Sequence, residues 1–310
     1  MHPIRNFLLG ATAVTALGLS AGAAPAPAPA PTAAASTNPF AQPSTLPLQA
    51  PEFDKIKDSD YEPAFEQGMK EHLAEIERIA NDPAAPTFEN TIVAMEKSGR
   101  MLDRVSTTFF NIVSANTNPA LDKVQAKVAP ELAAHQDAIF LNPKLFQRVK
   151  ALYDKRDQLQ LDPESAQLLK IYYLQFEHAG ANLSDADKEK LRAINKEDAT
   201  LSTAFQQKLL AATKAGALVI DKKSDLDGLS DQEIAAAAKA AQDRNLAGKW
   251  VIPLQNTTQQ PLLVSLKNRA VRQALFEHSW TRAEKGDAND TRDTISRLAQ
   301  IRAEKAKLLG

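Results

Sequence analysis

The sequence predicts a mainly α-helical protein with one small two-stranded β element. Apolar residues recur at three- and four-residue steps along most of the chain after residue 38, which is the period of an amphipathic helix. Several of these segments open with a helix N-cap signal, and glycine is scarce, with 11 in 310 residues. Only two short β-branched segments interrupt the pattern. The predicted helix content therefore exceeds the roughly one third of a generic globular protein.

The first 23 residues have the three parts of a cleavable export signal. His2 and Arg5 form a short polar region, residues 7–19 are mostly apolar, and residues 21–23 are small. The competing interpretation is a membrane anchor, but a spanning helix needs about 20 apolar residues and this run is shorter. No cysteine follows for lipid attachment. We expect cleavage after Ala23 and a periplasmic or secreted protein without a membrane anchor.

Residues 24–37 form a linker, and residues 38–310 form the predicted helical domain. The linker alternates proline and alanine and contains no bulky apolar residue that a core would bury. Proline holds the backbone extended, so such a tract acts as a tether.

Within the domain, three helix starts carry a chemical signal. Thr87 precedes an acidic residue and an apolar run, and Ser184 and Ser230 are each followed three residues later by a carboxylate. In the last two, the hydroxyl and the carboxylate are expected to satisfy each other's backbone amides as a capping box. The longest helix is predicted for residues 184–215, with one apolar stripe made of Leu191, Ile194, Leu201, Phe205 and Leu209.

The two β segments and the final helix complete the domain. Residues 217–220 and 249–254 are short, rich in β-branched residues and bracketed by Gly, Asp or Pro, which indicates strands. They are expected to pair, and the long connection leaves both parallel and antiparallel pairing open. The last helix, near residues 290–310, has an apolar side predicted to comprise Ile295, Leu298, Ala299, Ala306 and Leu309.

Composition excludes several classes of function. The chain has 37 basic and 38 acidic residues, so no overall positive field favours nucleic acid. It has no cysteine, which excludes disulfides, a thiolate nucleophile and cysteine-ligated metals from its residues. It also lacks the Gly-x-Ser-x-Gly serine elbow and a phosphate-binding glycine loop.

The spacing of the histidines does not indicate an active site. A zinc protease helix needs His-Glu-x-x-His to bring both imidazoles to one face, and that spacing is absent. His72, His135, His178 and His278 lie tens of residues apart, and each is predicted to be an isolated surface or packing histidine. The similar segments FEHAG and FEHSW are treated as coincidence, because adjacent helical residues point about 100° apart. No catalytic or metal residue is predicted, and the substrate-binding residues are unknown.

Five segments nevertheless resemble one family. They lie in the same order along the chain, between Asn38 and Gly310, and read NPFAQPSTLPLQAPEFDKIKDSDYEPAFEQGM, PTFENTI, NPKLFQRVKALYD, LQNTTQQP and IRAEKAKLLG. They are similar to the N-terminal half of bacterial peptidyl-dipeptidases (dipeptidyl carboxypeptidases), which are grouped with oligopeptidase A and thimet oligopeptidase. One local departure is Thr291-Arg292, where relatives tend to carry Asn-Arg.

The resemblance implies the N-terminal lobe of a two-lobed, helical, channel-forming zinc peptidase. In that family a His-Glu-x-x-His helix and a further Glu hold zinc in the C-terminal half, and short unfolded peptides lose C-terminal dipeptides. No residue here matches that apparatus, so this chain is expected to be a truncated, inactive, monomeric fragment that binds no zinc. Its terminal helix is expected to lack its packing partner. The alternative is a non-catalytic secreted helical binding or scaffold module.

Overall fold

The computed structural model describes residues 38–256 and 259–310, so the predicted signal peptide and linker lie outside the described residues and remain predictions. The mainly α prediction is confirmed. The described part contains α1 (Asp58–Ala80), a π-helical turn (Phe88–Val93), α2 (Ala94–Lys97), α3 (Arg100–Ala115), α4 (Pro119–Phe140), α5 (Pro143–Asp154), α6 (Pro163–His178), α7 (Asp185–Ala215), β1 (Leu218–Ile220), α8 (Asp231–Gln242), β2 (Trp250–Ile252), α9 (Gln259–Ser265), α10 (Arg269–Trp280) and α11 (Arg292–Leu309). Short 3₁₀ turns occupy Pro47–Gln49, Arg156–Gln158 and Lys223–Leu226. None of the helices in this part combines the length and apolar character needed to cross a bilayer.

The predicted helix starts are found, with one difference in chemistry. Ser230 forms a complete capping box, because its Oγ accepts the Glu233 N–H and the Glu233 carboxylate accepts the Ser230 N–H at 2.7 Å. Thr87 caps the π-helical turn. Ser184 also caps α7, but the Asp187 carboxylate accepts the proton of the Ser184 hydroxyl. The expected bond from the Ser184 backbone amide is therefore replaced by a side-chain bond, and that half of the capping-box prediction is wrong.

Two aromatic cores hold the N-terminal helices together. One lies among α1, α3 and α4, where Phe65 and Phe109 meet edge to face with ring centroids 5.3 Å apart. The other lies among the end of α1, the π-helical turn, α5 and α6, where Phe146 stacks on Phe176 at 5.8 Å. These side chains are almost completely buried. Because α1 contributes to both cores, it connects the two groups of helices.

Arg148 of α5 holds the loop that follows α1. Its Nη1 donates to the backbone oxygens of Asp82 at 2.8 Å and Ala84 at 3.0 Å, and its Nη2 donates to Asn90 Oδ1 at 3.0 Å. The side chain is 7% exposed. A buried guanidinium can satisfy several carbonyls at once because its donors are arranged as a planar fork, so one residue organises the whole loop.

The longest helix and the small sheet match their predictions. Helix α7 contains 31 residues and is about 46 Å long at 1.5 Å per residue. Leu191 and Ile194 of its predicted stripe are buried, and the remaining three members are half-buried. Strands β1 and β2 pair antiparallel, with Val219 opposite Val251, which settles the orientation that the sequence left open. The sheet packs with leucines of α9 and α10 in a separate core.

The terminal helix has a packing partner, so the expectation that it lacks one is wrong. Leu298 and Ile301 of α11 are buried together with Ile194 of α7. The predicted apolar side is correct for Leu298, which is buried, and for Leu309, which is half-buried. It is wrong for Ile295, which is 50% exposed, and for both alanines, which are exposed. Two guanidinium–carboxylate pairs flank the contact, Arg297–Glu197 and Arg302–Asp198.

Candidate functional site

Two histidines, of which His135 is buried and His72 half-buried, form a pair. His72 of α1 and His135 of α4 are 63 residues apart in sequence, yet His135 Nε2 lies 2.9 Å from His72 Nδ1. Their ring centroids are 4.9 Å apart. The prediction that each histidine is isolated is therefore wrong for these two. The packing of α1 against α4 brings them together. Two residues so far apart in sequence share no local pattern from which this contact could be predicted.

The hydrogen bonds around the pair assign its protons. The Ser98 hydroxyl donates to the Met95 carbonyl at 2.7 Å, so Ser98 Oγ can only accept from His72 Nε2, which lies 3.1 Å away. When His72 carries one proton, at Nε2, its Nδ1 accepts and the proton between the two rings belongs to His135 Nε2. His135 Nδ1 is left as an unprotonated buried nitrogen, without a hydrogen-bond partner among the described residues.

The surroundings of His135 favour its neutral state. His135 is 3% exposed, and burial, with a smaller contribution from His72, lowers its pKa from 6.5 to about 4. Gly99 lies against the His72 ring and has a left-handed φ of 71°. A Cβ at this position would lie 2.8 Å from His72 Nδ1. Its backbone N–H donates to Glu75 Oε2 at 2.7 Å. The backbone is thus held close to the imidazole, at a position that accepts only glycine without strain.

The pair is arranged neither as a base for a neighbouring hydroxyl nor as a three-ligand metal site. His72 Nε2 is the donor to Ser98, so it is not a base that could activate that hydroxyl. The facing ring nitrogens are occupied with each other, and no group of three or more His, Asp or Glu side chains within residues 38–256 and 259–310 is arranged to hold a metal ion. No arrangement among the described residues therefore fits zinc, and the contact between the two rings joins α1 to α4.

The other two described histidines lie apart. His178 is exposed, and the neighbouring Glu177 accepts a hydrogen bond from the Tyr173 hydroxyl at 2.9 Å. His278 Nδ1 donates to the backbone oxygen of Gly216 at 2.9 Å. The two similar segments also differ in environment, since Phe176 is fully buried while Phe276, its counterpart, is 50% exposed. They do not form equivalent sites.

A second polar cluster was not foreseen from the sequence. Asp137 of α4 is 8% exposed, and burial raises its pKa above the ordinary value. Its Oδ1 accepts from Asn195 Nδ2 of α7 at 2.7 Å, and Asn195 Oδ1 accepts from Lys305 Nζ of α11, also at 2.7 Å. The cluster joins three helices through one amide. Its geometry is that of an internal bridge, because each group faces a neighbouring helix.

A cleft of 270 Å³ lies where the C-terminal end of α3 meets the first turns of α4 and the second half of α7. Its walls mix apolar side chains with amides and one acid, and comprise Phe110, Val113, Ser114, Thr117, Asp122, Gln125, Gln206, Gln207 and Leu210. Ligand pockets are commonly ~300–1,000 Å³, so the cleft is slightly smaller than that range. It is a candidate binding site among the described residues.

Comparison with known proteins shows the class of protein, because the chain is similar to peptidases over most of its length. It is 50% identical to a dipeptidyl carboxypeptidase of Salmonella typhimurium over 275 residues, which are 89% of this chain and 40% of that protein. It is also 50% identical to the dipeptidyl carboxypeptidase of Escherichia coli over 273 residues, 88% of this chain and 40% of that protein. The resemblance inferred from the five segments is confirmed.

More distant relatives support the same class. An organellar oligopeptidase A of Arabidopsis thaliana is 27% identical over 282 residues, covering 89% of this chain and 35% of that protein. No family model matches the chain. This chain therefore spans about 40% of the length of the dipeptidyl carboxypeptidases that it matches.

Proposed function

We propose that this chain forms the N-terminal lobe of an exported peptidase, and that this lobe provides one wall and the lid of a peptide channel. The observation that carries the proposal is 50% identity to dipeptidyl carboxypeptidases along 89% of the chain, combined with coverage of 40% of their length. The substrates would be short unfolded peptides, since a narrow channel excludes folded proteins, and the products would be C-terminal dipeptides.

Catalysis is assigned to residues that this chain does not contain. When bound in the missing half, zinc would polarise the scissile carbonyl and activate water. The described residues of this chain would shape the channel and restrict which peptides enter it. On this proposal the purified chain alone, after dialysis, holds no stoichiometric zinc and hydrolyses no peptide. One tightly bound zinc per chain with chelator-sensitive dipeptide release would contradict it.

An exposed aromatic pair supports a contact with the rest of such a peptidase. Trp280 at the end of α10 is 75% exposed and stacks on Phe276, with ring centroids 5.7 Å apart. Aromatic side chains are enriched at protein interfaces and are costly to leave in water. The missing catalytic half is the proposed partner of this surface, and the assembled peptidase would be a monomer.

Export is proposed from residues 1–23, and N-terminal sequencing of protein recovered from the periplasmic fraction tests it. A mature chain that begins at Ala24 supports cleavage by a signal peptidase. Recovery of protein that still begins at Met1 from the cytoplasm would contradict export.

The DNA beyond codon 310 tests the proposed function most directly. A His-Glu-x-x-His segment downstream, in frame or one frameshift away, supports the peptidase lobe. A stop codon followed by unrelated sequence supports the alternative, an independent secreted helical binding module. If the segment is found, expressing the joined frame and measuring release of C-terminal dipeptides from short peptides completes the test.

A further inference from the structure

The cleft described above, called here the α3/α4/α7 cleft, has apolar walls. Phe110 and Val113 come from the last turns of α3, and Leu210 comes from α7. Leu210 is 54% exposed, which is high for a leucine beside a cleft. An apolar group entering the cleft would remove these side chains from water, and that transfer is favourable.

Most polar groups of the α3/α4/α7 cleft already have partners. Asp122 Oδ1 accepts from the Thr117 hydroxyl at 2.7 Å, and Gln207 Nε2 donates to the Asp122 backbone oxygen at 2.8 Å. The Ser114 hydroxyl donates to the backbone oxygen of Asn111 at 2.8 Å. These bonds fix the rim of the cleft and leave little capacity for a ligand.

Gln125 differs from those residues. It lines the α3/α4/α7 cleft from α4 and is 8% exposed, yet its amide hydrogen-bonds to no other described residue. Buried amides are nearly always paired, because losing water without gaining a partner is costly. Gln206, the other unpaired amide of the cleft, is exposed and retains water. The cleft therefore holds one largely buried amide that has no partner among the described residues and that a ligand can satisfy.

We infer that the α3/α4/α7 cleft binds one residue of a peptide, with an apolar side chain between Phe110, Val113 and Leu210 and a peptide group paired with Gln125. A primary amide offers a donor and an acceptor side by side, and a peptide group presents the matching acceptor and donor. The carboxylate of Asp122 in the same cleft disfavours an anion, so the bound residue is an internal one and not a free C-terminus. The role of the cleft as a substrate subsite rests on the proposed function. The binding of a peptide residue is inferred from the cleft alone.

N-acetyl-leucinamide is a suitable probe, because it is uncharged and carries one apolar side chain between two amide groups. Titrated into the purified chain with methyl-labelled leucine and valine, it is expected to shift the methyl resonances of Val113 and Leu210. N-acetyl-glycinamide, which lacks the side chain, should bind at least tenfold more weakly. N-acetyl-leucine, with a free carboxylate, should bind several-fold more weakly at neutral pH. Equal affinity for all three probes would overturn the inference.

Substitutions separate ligand binding from a structural role. Gln125→Leu should weaken binding of N-acetyl-leucinamide about tenfold, the effect of losing a net hydrogen bond. Gln136→Leu, an exposed glutamine of the same helix, is the matched control and should bind as the wild type does. Ser114→Trp, at an exposed position on the rim, fills the cleft from outside and should abolish binding. This variant still tests the inference if Gln125→Leu does not fold.

Three further outcomes reject the inference. The first is that Gln125→Leu and Ser114→Trp both bind the probe with unchanged affinity. The second is that the probe shifts only methyl resonances outside the cleft. The third is that the methyl resonances of the cleft shift when the protein concentration is raised without probe. The last would show a second copy of the chain as the occupant. Any of these leaves the proposed peptidase role in place, because that role is decided by the reading frame beyond codon 310.

Discussion

The pH dependence of stability is expected to report on His135. In the unfolded chain its imidazole has an ordinary pKa near 6.5, whereas burial in the folded chain lowers the pKa to about 4. Between these values the unfolded chain binds a proton that the folded chain does not bind. The contribution of the neutral imidazole is therefore complete above pH 6.5 and is lost progressively as the pH falls towards 4.

The magnitude follows from the two pKa values. Each pKa unit is worth about 1.36 kcal/mol, so the full difference corresponds to about 3 kcal/mol, and about 2.5 kcal/mol is already lost at pH 4.5. That is a large share of a typical net stability of ~5–15 kcal/mol. The structural reason is that a proton on His135 Nδ1 would be buried without an acceptor among the described residues.

A variant isolates this effect from the carboxylates that titrate in the same range. In His135→Gln the amide Nε2 replaces the imidazole Nε2 as donor to His72, but the side chain does not titrate. Urea unfolding followed by circular dichroism at pH 7.0 and 4.5 gives the free energy of unfolding of both proteins. We expect the wild type to lose about 2.5 kcal/mol more than the variant over this interval. The exposed His178→Gln serves as the control for removing an imidazole.

Parallel behaviour of wild type and His135→Gln, within about 0.5 kcal/mol between the two pH values, would refute the reasoning. It would mean that the imidazole is protonated in the folded state or is reached by water. Chemical shifts of the imidazole nitrogens distinguish these cases, because they report the tautomer directly. The hydrogen bonds assign the proton of His135 to Nε2 and leave Nδ1 bare.

Three further predictions concern stability, each measured as the free energy of urea unfolding. Gly99→Ala should cost at least about 1–2 kcal/mol, because the left-handed backbone strains an alanine and its Cβ would collide with the His72 ring; an unchanged midpoint would contradict this. Arg148→Met should cost about 2–3 kcal/mol by removing the donors that hold the loop at residues 81–87, and limited proteolysis should then cleave that loop first. Ile301→Ala should cost about 2–4 kcal/mol and speed amide exchange along α11, whereas Ile295→Ala, on the exposed side, should change stability by less than about 0.5 kcal/mol. Equal effects of the two isoleucines would show that α11 docks in another orientation.

Local chemistry explains which features were predictable. Ser230 and its carboxylate partner define a helix start within four residues, and the β-branched segments at Val219 and Val251 define strands over similarly short stretches. The family resemblance was also visible in short segments such as PTFENTI, and the comparisons confirm it. All of these signals act over a few neighbouring residues, so they can be recognised without knowing what packs against them.

The phase of α11 shows where this local information ends. Its sequence contains two apolar stripes offset by a fraction of a turn, one through Ile295 and one through Ile301. Periodicity alone does not show which of the two stripes is buried. That depends on the position of Ile194 on α7 and of the α7 carboxylates that pair with the arginines of α11. The choice is made by a contact about 100 residues away in sequence.

By itself, the sequence determined that this protein is helical, where several of its elements begin, that it resembles peptidases and that its 310 residues contain no His-Glu-x-x-His segment. Only the tertiary structure decided that His72 meets His135, that Gln125 lies largely buried in a cleft without a partner among the described residues, and that α11 docks on α7. The physical reason is the range of the interactions. Caps, periodicity and turns depend on neighbouring residues, whereas a hydrogen bond between helices, a lowered pKa or a cleft exists only after distant segments have packed together.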